Sequence, residues 1–221
     1  MRILAFDCAL GARSAALFAG DALVAGRAED GARQHAERLL PLITETLAEA
    51  GWRFADLQLL CLTRGPGSFT GLRIGLAAAR GLALALQLPV LGLSTLEALA
   101  AGVVAAPRPA VLALIDARRG QLYAQAFAAS GAAAGPPRAC RPRDAAAMLP
   151  PAPVALVGSG IGCVQPHLAG RQFQLADAPA LPEASRFGRL ALARAGEARL
   201  DQPPEPLYLR SPDAEPAAPR R

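Results

Sequence analysis

The segment Gly65-Pro66-Gly67-Ser68-Phe69-Thr70-Gly71-Leu72-Arg73-Ile74-Gly75 joins a short apolar run, 59–63, to a longer one that extends to Leu88. This order predicts a buried strand, a glycine-rich turn and a helix over 71–88. Backbone N–H groups and the helix dipole create positive potential at such a turn, which suits a phosphate or another anion. The same residues equally fit a tight turn before a helix capped by Ser68, and both interpretations stay open.

The composition excludes two kinds of chemistry. The chain has 221 residues, and all 23 of its basic residues are arginine. A Walker A loop requires Gly-Lys-Ser/Thr, so this phosphate-binding motif is excluded. Catalysis through a lysine Schiff base is excluded for the same reason. The formal net charge of +5 comes from scattered arginines, which permits nucleic-acid contact without requiring it.

Cysteines and histidines give no pattern for a metal site or a nucleophile. The four cysteines lack Cys-x-x-Cys spacing, and no disulfide framework or zinc site is expected. The two histidines, His35 and His167, do not form a His-x-x-x-His pair, so we predict no metal ligands. No Gly-x-Ser-x-Gly motif surrounds Ser68, and no catalytic residue is predicted.

The N-terminus and the most apolar segment predict the cellular location. The start, Met1-Arg2-Ile3-Leu4-Ala5-Phe6-Asp7, meets a charge too early for a signal peptide, and Arg73 and Arg80 interrupt the most apolar run. We therefore expect a cytoplasmic protein with no membrane partner.

Strands alternate with helices along most of the chain, which predicts an α/β fold. The predicted strands are 2–8, 14–18, 23–27, 59–63, 89–93, 111–115, 122–128 and 154–157. The predicted helices are 34–50, 71–88, 94–101 with a Ser94/Glu97 capping box, and 183–199, while 129–142 is expected to be loop.

Two lobes that begin alike indicate an internal duplication. Asp7 ends the first strand of one lobe, and Asp116 ends the corresponding strand of the other. We predict an N-terminal lobe over 1–104, a smaller C-terminal lobe over 105–210 and a disordered tail over 211–221. This arrangement resembles the actin-like ATPase superfamily, with its RNase H-like lobes of mixed sheets flanked by helices.

Five stretches together resemble the bacterial TsaB (YeaZ) family. They are 3–7, 35–41, 65–75, 116–123 and 206–210. The resemblance implies a non-catalytic scaffold and activator that binds TsaD, the paralogue that transfers a threonylcarbamoyl group to the adenosine beside the anticodon of tRNA. It further implies the ATPase TsaE as a partner, a homodimer when TsaD is absent, and tRNA contact only through the complex. No intrinsic cofactor is expected, although ATP or ADP is a candidate ligand at the junction with TsaD.

Helix 71–88 is apolar around most of its circumference, which predicts burial on more than one side. Gly71, Gly75, Ala78 and Leu82 share a face that allows close approach, either to the helix's own sheet or to a partner helix; Arg73 and Arg80 share the opposite face. The candidate partner-interface residues are Leu39, Ile43, Gly71, Leu72, Gly75, Ala78, Ala79 and Leu82.

The candidate nucleotide or anion contacts are Asp7, Gly67, Ser68, Thr70 and Arg73. Actin-like ATPases use a first-strand aspartate through magnesium and water, and phosphate donors follow it. Cys8-Ala9-Leu10 offer few donors here, and the family often has threonine at position 8, so an Asp7 that caps turn amides is favoured.

Two other functions remain as alternatives. The first is a stand-alone actin-like ATPase or phosphotransferase, and the second is a direct tRNA-binding module. For the second, Arg118 and Arg119 either contact phosphate or lie on an ordinary solvated hairpin tip. Gly158-Ser159-Gly160 either approaches an adenine or turns the chain.

Overall fold

The computed structural model describes residues 1–31, 34–151 and 153–210, so the predicted tail 211–221 lies outside the described residues. In chain order the first lobe contains β1 (Arg2–Asp7), β2 (Ala12–Ala19), β3 (Ala22–Asp30), α1 (His35–Glu49), β4 (Leu59–Thr63), α2 (Phe69–Leu86), β5 (Val90–Leu93) and α3 (Thr95–Ala101). Its sheet has the strand order β3-β2-β1-β4-β5. β1, β2 and β3 form an antiparallel meander, whereas β1, β4 and β5 are parallel.

The second sheet repeats this connectivity. Its strands and helices are β6 (Ala110–Asp116), β7 (Leu122–Phe127), β8 (Arg138–Cys140), α4 (Pro142–Ala146), β9 (Val154–Val157), α5 (Ile161–Val164) and β10 (Gln174–Leu175). Its strand order is β10-β9-β6-β7-β8, which in the opposite direction corresponds strand for strand to the order of the first sheet. As in the first sheet, the opening pair, β6–β7, is antiparallel, while β6–β9 is parallel. The predicted internal duplication is therefore confirmed at the level of topology, with Asp7 and Asp116 at equivalent strand ends.

Most predicted elements are confirmed to within a few residues. Strands 59–63 and 154–157 have the predicted bounds, and Ser94 caps α3 in a capping box with Glu97. The prediction of loop over 129–142 is wrong in part, because β8 pairs with β7 and α4 follows it. β8 has three residues in a segment dominated by Ala, Gly and Pro, which is too short to show an alternating pattern.

The predicted last helix, 183–199, is divided into α6 (Ala184–Phe187), α7 (Arg189–Ala193) and a 3-10 turn (Ala195–Glu197). The division falls at Gly188, where any Cβ atom would overlap the ring of Phe18. Phe187 and Ala191 are buried against the first sheet together with Phe18. This segment, which the sequence assigned to the C-terminal lobe, therefore packs on the N-terminal one.

Successive side chains of β1 and β4 point to opposite faces of the first sheet, and both faces are covered. Leu4 and Leu60 point into a cluster with α1 and α2, while Ile3 and Leu59 point into the opposite cluster with α6 and α7. All four side chains are at most 1% exposed. A sheet with both faces buried reads as a continuous apolar run, which is the pattern of residues 3–6 and 59–62.

Helix α2 lies on the first sheet through a face of small residues. Gly71 is so close to the backbone of Cys8 that a Cβ atom would collide with the Cys8 carbonyl oxygen, and a Cβ on Gly75 would lie 3.2 Å from the Cys8 sulfur. The Cys8 thiol donates a hydrogen bond to the Gly71 carbonyl oxygen at 3.3 Å. The close approach predicted for this glycine face is therefore made to the helix's own lobe.

The other side of α2 is open to solvent. Arg73, Ala77, Arg80, Gly81 and Leu84 are exposed, and the side chain of Leu84 is 75% exposed. The expectation of burial on more than one side is therefore wrong within the single chain. By length and a mean hydropathy of 1.4, α2 could cross a membrane, a test that the core helix of a soluble protein also passes.

Two glycines of α2 provide a matched test of this packing. Gly71→Ala is expected to lower the free energy of unfolding by about 1–3 kcal/mol, because the methyl group meets the Cys8 backbone, which cannot move aside cheaply. Gly81→Ala, where a Cβ would meet nothing within 4 Å, is expected to raise it by up to about 1 kcal/mol. Urea unfolding of both variants measures the difference. A Gly71→Ala midpoint equal to or above that of Gly81→Ala would contradict the packing.

Candidate functional site

The glycine turn packs against the connection between β1 and β2. The Ser68 backbone N–H donates to the Ala9 carbonyl oxygen at 2.7 Å, and the Ser68 hydroxyl accepts from the Gly71 N–H at 3.0 Å. A Cβ on Gly67 would collide with the Ala9 carbonyl oxygen. The interpretation as a tight turn before a capped helix is thus confirmed, and anion binding at the turn stays a prediction.

Asp7 lies beneath this turn with 1% of its surface exposed. One carboxylate oxygen, Oδ1, accepts from the Ala9 N–H at 3.2 Å and from the Thr63 hydroxyl. The other, Oδ2, is buried without a hydrogen-bond partner in the described part of the chain. Burial raises the pKa of Asp7 to about 7, although both hydrogen bonds oppose the shift. Near neutral pH a substantial fraction of this carboxyl therefore still carries its proton, and it caps a turn amide as predicted.

Cys8 and His35 are held in structural roles beside Asp7. Burial raises the pKa of the Cys8 thiol to about 12, so it stays protonated and is a poor nucleophile. At the start of α1, the His35 Nε2 lies 3.0 Å from the Leu10 carbonyl oxygen. His167 is exposed in the second lobe. Across residues 1–31, 34–151 and 153–210, no three His, Cys, Asp or Glu side chains are grouped to hold a metal ion.

The structure divides the five predicted anion contacts into two groups. Asp7, Gly67 and Ser68 make hydrogen bonds or close contacts within the lobe, although Ser68 is also exposed, whereas Thr70 and Arg73 are exposed on the first turns of α2. The Arg73 guanidinium carbon lies 3.8 Å from the centre of the Phe69 ring. Phe69 in turn stacks on Tyr208 with the ring centres 5.8 Å apart, a contact that the sequence pattern did not predict.

An apolar groove of about 420 Å³ lies between α1 and α2 on the surface of the N-terminal lobe. Its lining residues are all apolar: Ala36, Leu39, Leu40, Ile74, Ala77, Ala78, Gly81 and Leu82. Leu40 is 46% exposed, while Leu39 forms the floor at 1%. An uncovered apolar surface of this kind is a candidate contact site for another molecule.

The groove changes the predicted set of interface residues. Leu39, Ala78 and Leu82 line it, as expected of a contact surface. The other five predicted residues are buried inside the lobe: Ile43, Gly71, Leu72, Gly75 and Ala79. They are corrected to core residues, because the small face of α2 is used against β1 and β4. The sequence prediction missed five lining residues, which recur at helical spacing beside the core positions: Ala36, Leu40, Ile74, Ala77 and Gly81. That spacing was the sequence signal that could have identified them.

The second glycine turn, Gly158-Ser159-Gly160, lies on the end of β6 as the first lies near the end of β1. The Ser159 hydroxyl accepts from the Asp116 N–H at 3.2 Å, and a Cβ on Gly158 would collide with the Leu114 carbonyl oxygen. This segment is therefore a turn with close backbone contact. At the hairpin tip, Arg118 is 86% exposed and pairs with Asp116 at 3.7 Å.

The buried carboxyl gives a pH dependence whose sign can be derived. The pKa of Asp7 is raised from 3.8 to about 7, so between these values the folded state keeps a proton that the unfolded chain has released. Stability therefore falls as the pH rises through this interval, by up to about 1.4 kcal/mol per pH unit, and levels off above it. Glu29 acts in the opposite direction, since Arg38 and Arg13 lower its pKa from 4.5 to about 2, and its contribution is lost only below pH 4.5.

Asp7→Asn isolates this effect, because the amide resembles the protonated acid in shape and carries no charge. Relative to the parent chain, the variant is expected to gain stability steadily from pH 5 to pH 7 and to hold that gain at pH 8. Urea unfolding of both proteins at pH 5, 6, 7 and 8 gives the difference and cancels contributions that they share. A difference that does not change with pH would show that Asp7 is ionised in the folded state throughout.

Comparison with known proteins agrees with this geometry. The family model for TsaD, described as tRNA N6-adenosine threonylcarbamoyltransferase, matches residues 28–154, more than half of the chain. The "tRNA threonylcarbamoyladenosine biosynthesis protein TsaB" of Escherichia coli is 46% identical over 126 residues. That match covers 56% of this chain and 53% of the relative, so the likeness spans about half of each molecule.

Solved structures extend the likeness to almost the full length. YeaZ from Pseudomonas aeruginosa superposes with a TM-score of 0.81 at 33% identity, covering 94% of this chain and 99% of YeaZ. Component A of the (R)-2-hydroxyglutaryl-CoA dehydratase of Acidaminococcus fermentans, at 11% identity and a TM-score of 0.57, shares the fold alone. These neighbours have the actin-like ATPase fold, which confirms the predicted two-lobed α/β class with mixed sheets flanked by helices. The chain therefore belongs to the TsaB (YeaZ) family.

Proposed function

We propose that this chain acts in tRNA threonylcarbamoyladenosine biosynthesis as the non-catalytic partner of a TsaD-type transferase. The observation that carries the proposal is the apolar groove between α1 and α2, which the described part of the chain leaves uncovered. Apolar area of this kind is unfavourable in water and favours association with a complementary surface. In the proposed complex the groove is covered by TsaD.

A TsaD lobe is a suitable occupant because it is related to this lobe. The TsaD family model matches residues 28–154, which include both α1 and α2. A relative with an equivalent pair of helices can place apolar side chains between them as two ridged surfaces interlock. Ala77, Ala78 and Gly81 leave room for such side chains, since a Cβ on Gly81 would meet nothing within 4 Å.

A second copy of this chain presents the same groove. Two copies can therefore cover each other's groove in a two-fold symmetric pair, which is the commonest arrangement of homo-oligomers. The proposed homodimer and the proposed complex with TsaD would then compete for one surface. The proposal also includes TsaE as a partner, a cytoplasmic location, and ATP or ADP at the junction with TsaD. Thr70 and Arg73 are exposed and are candidates for contact with this nucleotide.

The alternative of a stand-alone ATPase or phosphotransferase has less support. Asp7 is 1% exposed and still carries its proton in a substantial fraction of molecules near neutral pH, which suits a buried cap better than a magnesium ligand held through water. Leu10, at a position where phosphate donors would be needed, packs against the apolar cluster of the second lobe and α3. The Ser68 N–H, a potential phosphate donor, is already bonded to Ala9. Titration calorimetry with MgATP on the isolated chain separates the alternatives, since micromolar binding that Asp7→Asn abolishes would favour an ATPase.

Charge placed in the groove tests the proposed complex. In co-expression with the TsaD of the same organism, Leu40→Glu and Gly81→Glu are each expected to reduce the TsaD retained by the tagged chain at least about tenfold, because the interface would bury an unpaired carboxylate. The lobe should stay folded, since Leu40 is 46% exposed and Gly81 has open space around it. Circular dichroism and thermal unfolding check this point.

Leu175→Glu is the matched control, because Leu175 is 59% exposed on β10 of the other lobe. It is expected to retain TsaD at the parent level. Retention of TsaD by both groove variants, or an equal loss in the control, would rule the groove out as the TsaD surface. Mass spectrometry of threonylcarbamoyladenosine in cellular tRNA provides the functional measurement.

A further inference from the structure

The C-terminal segment 199–210 crosses the surface of both lobes, and we refer to it as the strap. At one end Arg199 forms a bridge with Val90 of β5, and at the other Arg210 donates to the Ala117 carbonyl oxygen at 3.2 Å. Between them, the Leu207 N–H donates to the Arg64 carbonyl oxygen at 2.7 Å beside the glycine turn. The strap is therefore held at several points, and it carries Tyr208 to a fixed position on Phe69.

Phe69 and Tyr208 form an exposed aromatic pair. Their ring planes are inclined by 29° and the centres are 5.8 Å apart, with 46% and 41% of the two residues exposed. The Arg73 guanidinium carbon lies over the Phe69 ring, 3.8 Å from its centre. Large aromatic side chains left this open on a folded surface, in ordered contact with each other, indicate a binding surface.

Three arginines lie around Phe69 and the strap, and no carboxylate of the described residues pairs with them. Within the described residues, Arg64, Arg73 and Arg80 form no ion pair. Arg64 donates to the Glu205 carbonyl oxygen at 3.3 Å and Arg80 to the Pro204 carbonyl oxygen at 3.4 Å, so the strap orients both. Glu205 adds one exposed carboxylate, and the surface keeps an excess of positive charge.

We propose that Phe69, Tyr208, Arg64, Arg73 and Arg80 form a platform that binds single-stranded RNA. A base stacks on the exposed aromatic pair, and the arginines contact the flanking phosphates. Stacking rings combined with unneutralised guanidinium groups are what unpaired nucleotides require, whereas an acidic peptide would use the charge and leave the rings uncovered. The choice of RNA over DNA rests on the proposed function.

The platform and the groove occupy different flanks of α2. Ile74, Ala78 and Leu82 turn towards α1 and line the groove, whereas Arg80 reaches the strap on the other flank. A partner seated in the groove therefore leaves the aromatic pair accessible, and Arg73, between the two surfaces, is the one platform residue that the proposed nucleotide at the TsaD junction would share. Direct RNA contact by this chain goes beyond the indirect contact that the family resemblance implies.

The test uses the isolated full chain and a fluorescein-labelled, unmodified anticodon stem–loop RNA. Fluorescence anisotropy at 50, 100 and 200 mM NaCl is expected to show binding that weakens with salt, with a log–log slope of about −2 for three phosphate contacts. Tyr208→Ala should weaken binding about tenfold and Tyr208→Phe should bind like the parent, because the ring carries the stacking. Arg73→Gln should weaken binding and make the slope less steep by about 0.7.

Arg143→Gln removes one charge from a side chain that is 69% exposed in the other lobe, and it should bind like the parent. The proposal is overturned if Tyr208→Ala and Arg73→Gln bind as tightly as the parent, if Arg143→Gln weakens binding as much as Arg73→Gln, or if a blunt RNA duplex binds as well as the stem–loop. Thermal unfolding and Tyr208→Phe separate loss of stacking from loss of the strap.

Retention of TsaD, measured on the same variants, separates this inference from the proposed function. Retention of TsaD by a parent chain that binds no RNA overturns the platform and leaves the complex intact. RNA binding by a parent chain that retains no TsaD overturns the complex and supports the platform. Loss of both activities in Tyr208→Ala, with its fold unchanged, would show that the aromatic pair also contacts TsaD, and would overturn the separation of the platform from the groove.

Discussion

The close approach between the backbone after β1 and the first turn of α2 determines most of what this lobe can do. The Cys8 and Ala9 carbonyl oxygens lie where side chains on Gly71 and Gly67 would have to be, and Ser68 donates to Ala9. This contact fixes the depth of α2 on the sheet, and hence which of its faces meets solvent. It also seals Asp7 beneath the turn, so a carboxyl that could have served a cation becomes a buried cap with a raised pKa.

The second lobe repeats the device with different residues. Gly158 approaches the Leu114 carbonyl oxygen, and the Ser159 hydroxyl accepts from the Asp116 N–H at the end of β6. Two lobes with one topology and the same kind of strand-to-turn contact are the outcome that an internal duplication predicts. They differ in the length of the helix after the turn, since α2 has 18 residues while α5 has four. The long helix provides the proposed docking surface, and the described part of the second lobe has no helix of comparable length.

Much of the fold could be predicted from the sequence, because strand runs such as 59–63 and caps such as Ser94 are local signals. The division of the last predicted helix at Gly188 could not be predicted, since the close contact at Gly188 is with the ring of Phe18, far away in the chain. The candidate site, too, could be predicted only in part. The glycine motif identified α2 as the special helix, but the pattern alone could not say whether Gly71 and Gly75 faced the sheet or a partner. The sequence suggested that Tyr208 docks on the protein, but its contact with Phe69 was beyond prediction, because only the path of the strap brings the two rings together.

The composition of α2 is explained by three simultaneous demands. Gly71, Leu72 and Ala79 fill the space above the sheet, where only small or well-fitted apolar groups are accommodated. Ala77, Ala78 and Gly81 keep the groove shallow and free of charge. Arg73 and Arg80 stand on the remaining flank, where a ring and the strap hold them in place. A helix required only to pack on its own sheet would carry polar residues over its whole outer side, so the apolar stripe at 77, 78 and 81 argues for a surface that is covered in the working complex.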